Sequence, residues 1–283
     1  MPKNMIVYIA VVVVIASVAI GLAQTRHGRA GRNEVQTAKP VVPTATEESQ
    51  AKSAPEPAPK ASPANAAIGA AAKQNRYVFV TFYRKNDPAS DKMQAAMKPV
   101  KANLSHRASF VSVDVDDSAQ QDVVSRYGAD RSPIPLTLVV APNGAVTAGY
   151  PNEMKSTDFS RAFVSNGMAS VVKAMQDQKF AVVCVQNART RHNKESLASA
   201  RKLASAQQFA GATQIVQINP ADRGEARLLK QLRVDTSSPE AAVVVISPPG
   251  KVAGKLSGAV STETMVATVS QACAPGGSCG PSG

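Results

Sequence analysis

The amino-acid sequence predicts an α/β protein with two tandem, similar domains, and a repeated stretch is the main reason. Residues 126–144 have the pattern of a helix end, a proline-bearing turn, an apolar strand and a tight Asn143-Gly144 hairpin. Residues 232–250 follow the same order without a gap, about 106 residues further along the chain. With 283 residues, the chain is long enough for two domains that each bury a core.

The first predicted domain, residues 75–178, has the order β-α-β-α-β-β-α. This order indicates a mixed sheet flanked by helices, with a crossover-linked parallel part and a hairpin part. Asp87 and Pro88 favour a helix start, because Asp caps free amides and Pro is preset for the first helical position. A last helix is predicted at about 156–176. The second predicted domain, residues 179–273, repeats the order, and a Gly/Pro/Cys tail follows at 274–283.

Residues 1–32 form an N-terminal signal or anchor segment. Within it, residues 5–23 are uncharged and apolar, and a run of about 19 such residues is long enough to span a bilayer as a helix. We expect a single-pass anchor in the cell membrane, with the domains on the extracytoplasmic, periplasmic side. Two alternatives stay open. Cleavage after the small residues at 17–19 or 21–23 gives a secreted or periplasmic protein, and the arginines after the run favour a cytoplasmic orientation.

The composition of residues 33–74 predicts a disordered linker. They are rich in Ala, Pro, Ser and Thr and show no apolar periodicity. Proline biases such a segment towards an extended conformation, so we expect a spacer between the membrane and the domains.

The net charge of +12 is concentrated beside the N-terminal run and on the second domain. Such a charge favours a protein partner in or near the membrane, or an anionic lipid surface. Aromatic residues near the basic stretches are too few for single-stranded nucleic-acid binding, and no sequence-specific nucleic-acid partner is expected. Phosphate-loop, dinucleotide and zinc-protease motifs are absent, so we expect no cofactor and no metal.

Several features of residues 75–178 accompany the element order. They are Lys92-Met93 near the start of the first helix, Pro99 within it, Tyr127-Gly128, and Ile134-Pro135 directly before the third strand. Together they resemble a thioredoxin-fold domain. The resemblance implies that the Ile134-Pro135 bond is cis and that these two residues form a peptide-binding corner beside the active site.

A thioredoxin-type oxidoreductase needs two cysteines spaced C-x-x-C at the start of the first helix, where the helix N-terminus lowers the pKa of the attacking thiol. This chain has no cysteine before Cys184. Alignment on Lys92-Met93 puts Pro88 and Asp91 at the two cysteine positions, and neither residue can attack a disulfide.

In the second domain, the loop at 187–194 takes the place of the active-site loop. It also lacks cysteine, and Ala241 stands where the first domain has Pro135. The loop leads into a helix N-terminus, whose free amides and dipole favour an anion. A solvated basic turn is the alternative to an anion-binding loop. The basic side chains concerned are Arg189, Arg191, His192 and Lys194.

The three cysteines differ in setting. Cys184 lies in an apolar strand pattern, which predicts a buried, inert thiol. Cys273 and Cys279 lie at the C-terminus with five residues between them. A local disulfide, two free thiols, an intermolecular bond and a redox-active pair all stay open for these two.

These observations favour a redox-inactive, non-catalytic protein that is tethered to the membrane. We expect it to act as a protein-binding or accessory subunit of an envelope complex. The alternative is a thiol-disulfide oxidoreductase that uses Cys273 and Cys279.

Overall fold

The structure, a computed structural model, describes residues 62–152 and 159–272. Within these ranges the chain forms two four-stranded mixed sheets with helices on their faces. The N-terminal segment 1–32, the linker up to residue 61, and Cys273 and Cys279 lie outside the described residues. None of the described helices is both long enough and apolar enough to span a bilayer.

The strands are β1 Tyr77–Tyr83, β2 Ala108–Asp114, β3 Leu136–Val140, β4 Val146–Pro151, β5 Phe180–Val185, β6 Thr213–Ile218, β7 Ala242–Ser247 and β8 Lys251–Ser257. The helices are α1 Pro63–Lys73, α2 Pro88–Leu104, α3 Gln121–Arg126, α4 Asn166–Gln176, α5 Asn193–Ser205, α6 Ala226–Leu232 and α7 Thr262–Ala272. Short 3-10 turns lie at Ser118–Gln120, Ala129–Arg131, Phe159–Arg161 and Arg223–Glu225.

The two sheets have the same construction, with the orders β2-β1-β3-β4 and β6-β5-β7-β8. In each, the first strand is parallel to the second and antiparallel to the third, which forms a hairpin with the fourth. Both hairpins carry a β-bulge and a positive-φ glycine at matching places, namely Val139/Val140 with Gly144 and Val245/Ile246 with Gly250. The similarity of 126–144 to 232–250 therefore extends from sequence to backbone geometry.

Helix α1 occupies a stretch that the sequence analysis assigned to the disordered linker, so that boundary was wrong. Ser62 caps the helix, since its Oγ accepts from the backbone N of Asn65 at 3.1 Å. Ala64, Ile68 and Ala71 are buried against the first sheet. These three residues, at helical spacing, form the face of α1 that packs on the first sheet. Because two of them are alanines in an alanine-rich stretch, the apolar periodicity is hard to recognise.

Helix α4 was predicted as the last helix of the first domain, but it packs on the second sheet. Ser165 caps it by accepting from Met168 N at 3.2 Å, and Val171, Ala174 and Met175 are buried in the second core. It therefore has the place in the second unit that α1 has in the first. We call residues 62–164 the first repeat and residues 165–272 the second repeat. The sequence of an amphipathic helix that lies between two sheets along the chain is compatible with packing on either sheet. Contacts between residues far apart in the chain determine which sheet it covers.

Among the residues that the structure describes, the 3-10 turn at 159–161 lies where the second repeat has its last helix. Phe159 packs on Phe79, with ring centroids 5.9 Å apart. One face of the first sheet is covered by α1 and α3, and the other by α2 and this turn. In the second sheet, α4 and α6 cover one face, while α5 and α7 cover the other.

Helix α4 also touches the first repeat. The side-chain amide of Gln176 donates to Val146 O at 2.8 Å and accepts from Val146 N at 3.0 Å, so it pairs with β4 as a strand residue does. Ala169 packs with Ala141 and Ala145 of the first hairpin. Helix α4 therefore contacts both repeats.

Candidate functional site

The predicted peptide-binding corner lies where β1 ends and β3 begins. Phe82 pairs with Leu136 in the ladder, so the loop after β1 and the residues before β3 meet at the same end of the sheet. The Ile134–Pro135 bond is cis, and Asn152 N donates to Pro135 O at 2.7 Å. We call this region the Pro135 corner. The expected cis geometry is confirmed, whereas peptide binding stays a prediction.

Ile134 has a free backbone at this corner. Its side chain is half-buried and packs against the first core, which holds the residue in place. Neither its N–H nor its C=O has a hydrogen-bond partner among the residues that the structure describes. An extended segment from another chain can therefore pair with Ile134 through backbone hydrogen bonds.

The start of α2 is built from Asp87 and Ser90 rather than from thiols. Asp87 Oδ2 accepts from Ser90 N at 3.0 Å and from Ser90 Oγ at 2.6 Å, and the hydrogen bond with Ser90 lowers the pKa of Asp87. Ser90 is fully buried and its Oγ accepts from Arg84 N at 3.1 Å.

Pro88 and Asp91, the predicted cysteine positions, are both exposed on the first turn of α2. The polar pair that lies at the helix start is one position earlier in the chain, at Asp87 and Ser90. Sequence reasoning had used Asp87 only as a cap. The sequence signal for the helix start was the preferred cap residue Asp87 followed by Pro88, and it gave no indication of the bond to Ser90.

The basic residues of the loop after β1 are paired with acids from the end of β2. Lys85 Nζ lies 2.8 Å from Asp114 Oδ2, and Arg84 Nε lies 3.5 Å from Asp116 Oδ2. Asp114 is buried, and the hydrogen bond from Lys85 lowers its pKa. Since these charges are compensated, the Pro135 corner offers backbone groups and shape more than charge.

Cys184 is a core residue, as predicted. It lies in β5 with 1% of its surface exposed, and burial raises the pKa of its thiol to about 11. The thiol therefore stays protonated at neutral pH and does not act as a nucleophile. Within the described ranges, no group of three or more His, Cys, Asp or Glu side chains is arranged to hold a metal ion.

The corresponding corner of the second repeat is closed by the chain itself. Arg191 N donates to Pro239 O at 2.8 Å, and Ala241 N donates to Arg191 O at 2.9 Å. This β-bridge occupies the backbone next to Ala241, the residue that corresponds to Pro135. No cis bond precedes Ala241. The bridge uses Pro239 O and Ala241 N, while the N–H of Glu240, the counterpart of Ile134, donates to Ser238 Oγ at 3.1 Å.

The candidate anion-binding loop is partly neutralised by Glu240, which sequence reasoning missed because it lies far along the chain. Arg191 forms an ion pair with Glu240, and His192 Nε2 lies 3.6 Å from Glu240 Oε2. Arg189 and Lys194 are exposed, and the described residues offer neither an ion-pair partner. Anion binding by this loop stays a prediction.

No family model matches the chain, and no curated protein matches it in sequence. Among solved structures, it is similar to human ERp44, with a TM-score of 0.32 and 13% identity over 71% of this chain and 53% of that one. It is similar to the NTD_N/C domain of alkylhydroperoxide reductase from Enterococcus faecalis, with a TM-score of 0.25 and 12% identity over 71% of this chain and 94% of that one. A third is the germline thioredoxin Deadhead of Drosophila melanogaster, with a TM-score of 0.26 and 20% identity over 29% of this chain and 72% of that one. At these TM-scores the similarities carry no inference about activity.

Proposed function

We propose that this protein is a non-catalytic, membrane-tethered pair of thioredoxin-like repeats that binds an extended segment of a partner protein at the Pro135 corner. The observation that carries the proposal is the free backbone of Ile134 beside a cis peptide bond. A bound segment aligned with Ile134 accepts from its N–H and donates to its C=O, so backbone hydrogen bonds supply affinity. The half-buried Ile134 side chain keeps these two groups in fixed positions.

The chemistry of the first repeat supports binding rather than thiol catalysis. Asp87 and Ser90 occupy the helix start and bond to each other, and neither supplies a thiolate. Cys184 is buried in the other repeat. The alternative, an oxidoreductase that uses Cys273 and Cys279, depends on residues outside the described ranges.

The cellular setting in this proposal comes from the sequence. The apolar run at 5–23 is long enough to anchor the chain in the membrane. The proline-rich segment that follows places the repeats at a distance from the bilayer, on the extracytoplasmic side. The partner is then a protein in or near the membrane, and the protein acts as an accessory subunit of an envelope complex.

Site-specific photo-crosslinking in intact membranes tests this proposal. A photoreactive residue in place of Ile134 should give a discrete protein adduct on illumination. The matched control has the same photoreactive residue at Glu240, the counterpart of Ile134, whose N–H already donates to Ser238 Oγ and which lies beside Arg191 in a β-bridge. We expect no adduct from that position.

Two results contradict the proposal. The first is equal crosslinking from positions 134 and 240, which indicates general contact instead of a built corner. The second is disulfide reductase activity of the purified full-length protein that disappears in the Cys279→Ser variant. That result supports the oxidoreductase alternative.

A further inference from the structure

A cavity of about 220 Å³ lies in the first repeat between α1, α3 and the β3–β4 hairpin. Val78, near the start of β1, and Val140, at the end of β3, both line it. The cavity is therefore at the opposite end of β1 and β3 from the Pro135 corner. We call it the Tyr127 cavity.

Two enclosed polar groups of the lining have no partner. Tyr127 is 7% exposed, and its hydroxyl makes no hydrogen bond with any described residue. Arg76 Nε is likewise enclosed and unpaired, although Arg76 Nη2 donates to Ala108 O at 2.7 Å. Buried polar groups in native proteins are nearly always paired, so two orphans on one cavity indicate a missing partner.

The charge of the lining identifies the class of that partner. Arg76 and Arg126 both contribute to the lining, which contains no carboxylate. The Arg126 guanidinium lies 5.5 Å from the centroid of the Tyr127 ring, and its Nη1 donates to Asn65 Oδ1 at 3.0 Å. Burial raises the pKa of Tyr127, which keeps its hydroxyl protonated and able to donate. Asp122 accepts from Asn65 Nδ2 at 3.1 Å but does not line the cavity, so the donors and positive charge of the lining are complementary to an anion.

The rest of the lining is apolar. Ile68, Ala72 and Val78 from α1 and β1, together with Val140 from β3, form the floor. A bare inorganic ion leaves this floor unused, whereas an organic anion covers it. The volume suits a molecule with the size of a single substituted ring.

The second repeat fills the corresponding space with its own side chains. By the matching helix caps and strands, Asn65, Ala72 and Arg126 correspond to Met168, Met175 and Leu232. All three of these larger apolar residues pack against the second core. The fold therefore does not require the cavity, which is a property of the first repeat alone.

We propose that the Tyr127 cavity binds a small organic anion, a carboxylate or a phosphate monoester with an apolar body. Its charged group contacts Arg126 and the Tyr127 hydroxyl. Its body lies on Ile68 and Val140. This site is additional to the proposed function and does not depend on partner binding at the Pro135 corner.

Methyl NMR of the isoleucine side chains in the full-length protein, in a nonionic detergent, tests the proposal. The probes are benzoate, phenyl phosphate and neutral benzyl alcohol. We expect saturable shifts of the Ile68 methyl signal with at least one of the two anions and none with benzyl alcohol. The Ile134 and Ile246 methyl signals, at the Pro135 corner and in the second repeat, should stay unchanged. A preference between the anions assigns the charged group.

Tyr127→Phe and Arg126→Leu should each weaken anion binding about tenfold or more, which is the size of one lost hydrogen bond to a charged group. Ala72→Met should also weaken binding, because the larger side chain fills the cavity. Tyr127→Phe is the sharpest, because the hydroxyl that it removes supports no bond in the fold and the melting temperature should not fall. Ala66→Met, the same change on the exposed face of α1, is the matched control for Ala72→Met and should leave affinity unchanged.

The proposal is overturned by an Ile68 signal that neither anion shifts at millimolar concentration. It is also overturned by an equal response to benzyl alcohol, which indicates a purely apolar hole. Binding that survives Ala72→Met as well as it survives Ala66→Met places the anion elsewhere and has the same consequence.

Discussion

At the scale of single residues, the surroundings of each candidate group decide its chemistry. Ile134 is useful because its backbone is unpaired, whereas the N–H of its counterpart Glu240 already donates to Ser238 Oγ. Cys184 has the side chain of a nucleophile but lies in an apolar strand, where the charged thiolate loses its hydration. Burial therefore raises its pKa to about 11 from an ordinary value of 9.0.

This pKa predicts a loss of stability in alkali. Well below pH 9 the thiol is protonated in both states and has no effect on the free energy of unfolding. Between the ordinary value of 9.0 and about 11, the unfolded chain releases the proton and the folded chain retains it. Stability then falls by about 1.4 kcal/mol per pH unit from this group.

Urea unfolding at pH 8, 9.5 and 10.5 measures the effect, with Cys184→Ala as the reference that cannot ionise. The free energy of unfolding of the wild type should fall more steeply above pH 9 than that of the variant. Parallel curves would show that the buried thiol ionises as easily in the folded chain as in the unfolded one.

At the scale of elements, each repeat places an acid at the N-terminus of its first helix. Glu225 is 6% exposed and accepts from Ser165 Oγ at 2.6 Å and from Gly167 N at 2.8 Å. A Cβ on Gly167 would lie 2.6 Å from Glu225 Oε2, so the carboxylate fits only because this position is glycine. In the first repeat, Asp122 accepts from Asn65 Nδ2 at 3.1 Å but is exposed.

We predict that Glu225→Ala lowers the free energy of unfolding by about 2 kcal/mol, because a buried N–H at the start of α4 loses its charged acceptor. Asp122→Ala, the matched change in the first repeat, should cost less than half of that, since water can replace an exposed carboxylate. Denaturant unfolding of both variants gives the comparison. Equal losses would refute the idea that burial sets the contribution.

At the scale of the whole molecule, the shared helix α4 sets the boundary between the repeats. Its apolar face completes the second core, and its other side contacts the first hairpin. The second core therefore includes a helix that precedes residue 179, where the sequence alone suggested the division.

A pair of fragments tests this boundary. Residues 159–283 contain α4 and should fold, with dispersed NMR signals and a cooperative thermal transition. Residues 179–283 lack α4 and expose the face of the second sheet that Val171, Ala174 and Met175 cover. We expect this shorter fragment to be unfolded or aggregated. Two equally folded fragments would restore the original boundary.

Much of this architecture could be predicted from the sequence, because local signals carry it. Apolar strands, the Asn143-Gly144 turn, the Asp87-Pro88 helix start and the repeat at 232–250 all depend on residues close together in the chain. The cis bond at Pro135 came from the resemblance. What could not be predicted depends on distant contacts: the partner sheet of α4, the pairing of Arg191 with Glu240, and the enclosure of the Tyr127 hydroxyl.

The pairing of Gln176 with Val146 covers part of the β4 edge of the first sheet. An edge strand offers unpaired N–H and C=O groups that can template aggregation with another copy. In the first sheet, the Gln176 amide already satisfies Val146 at the β4 edge. The corresponding edge of the second sheet, β8, carries Lys251 and Lys255, whose charges repel a second copy. The two repeats thus protect equivalent edges by different means, one with a hydrogen-bonding mimic and the other with charge.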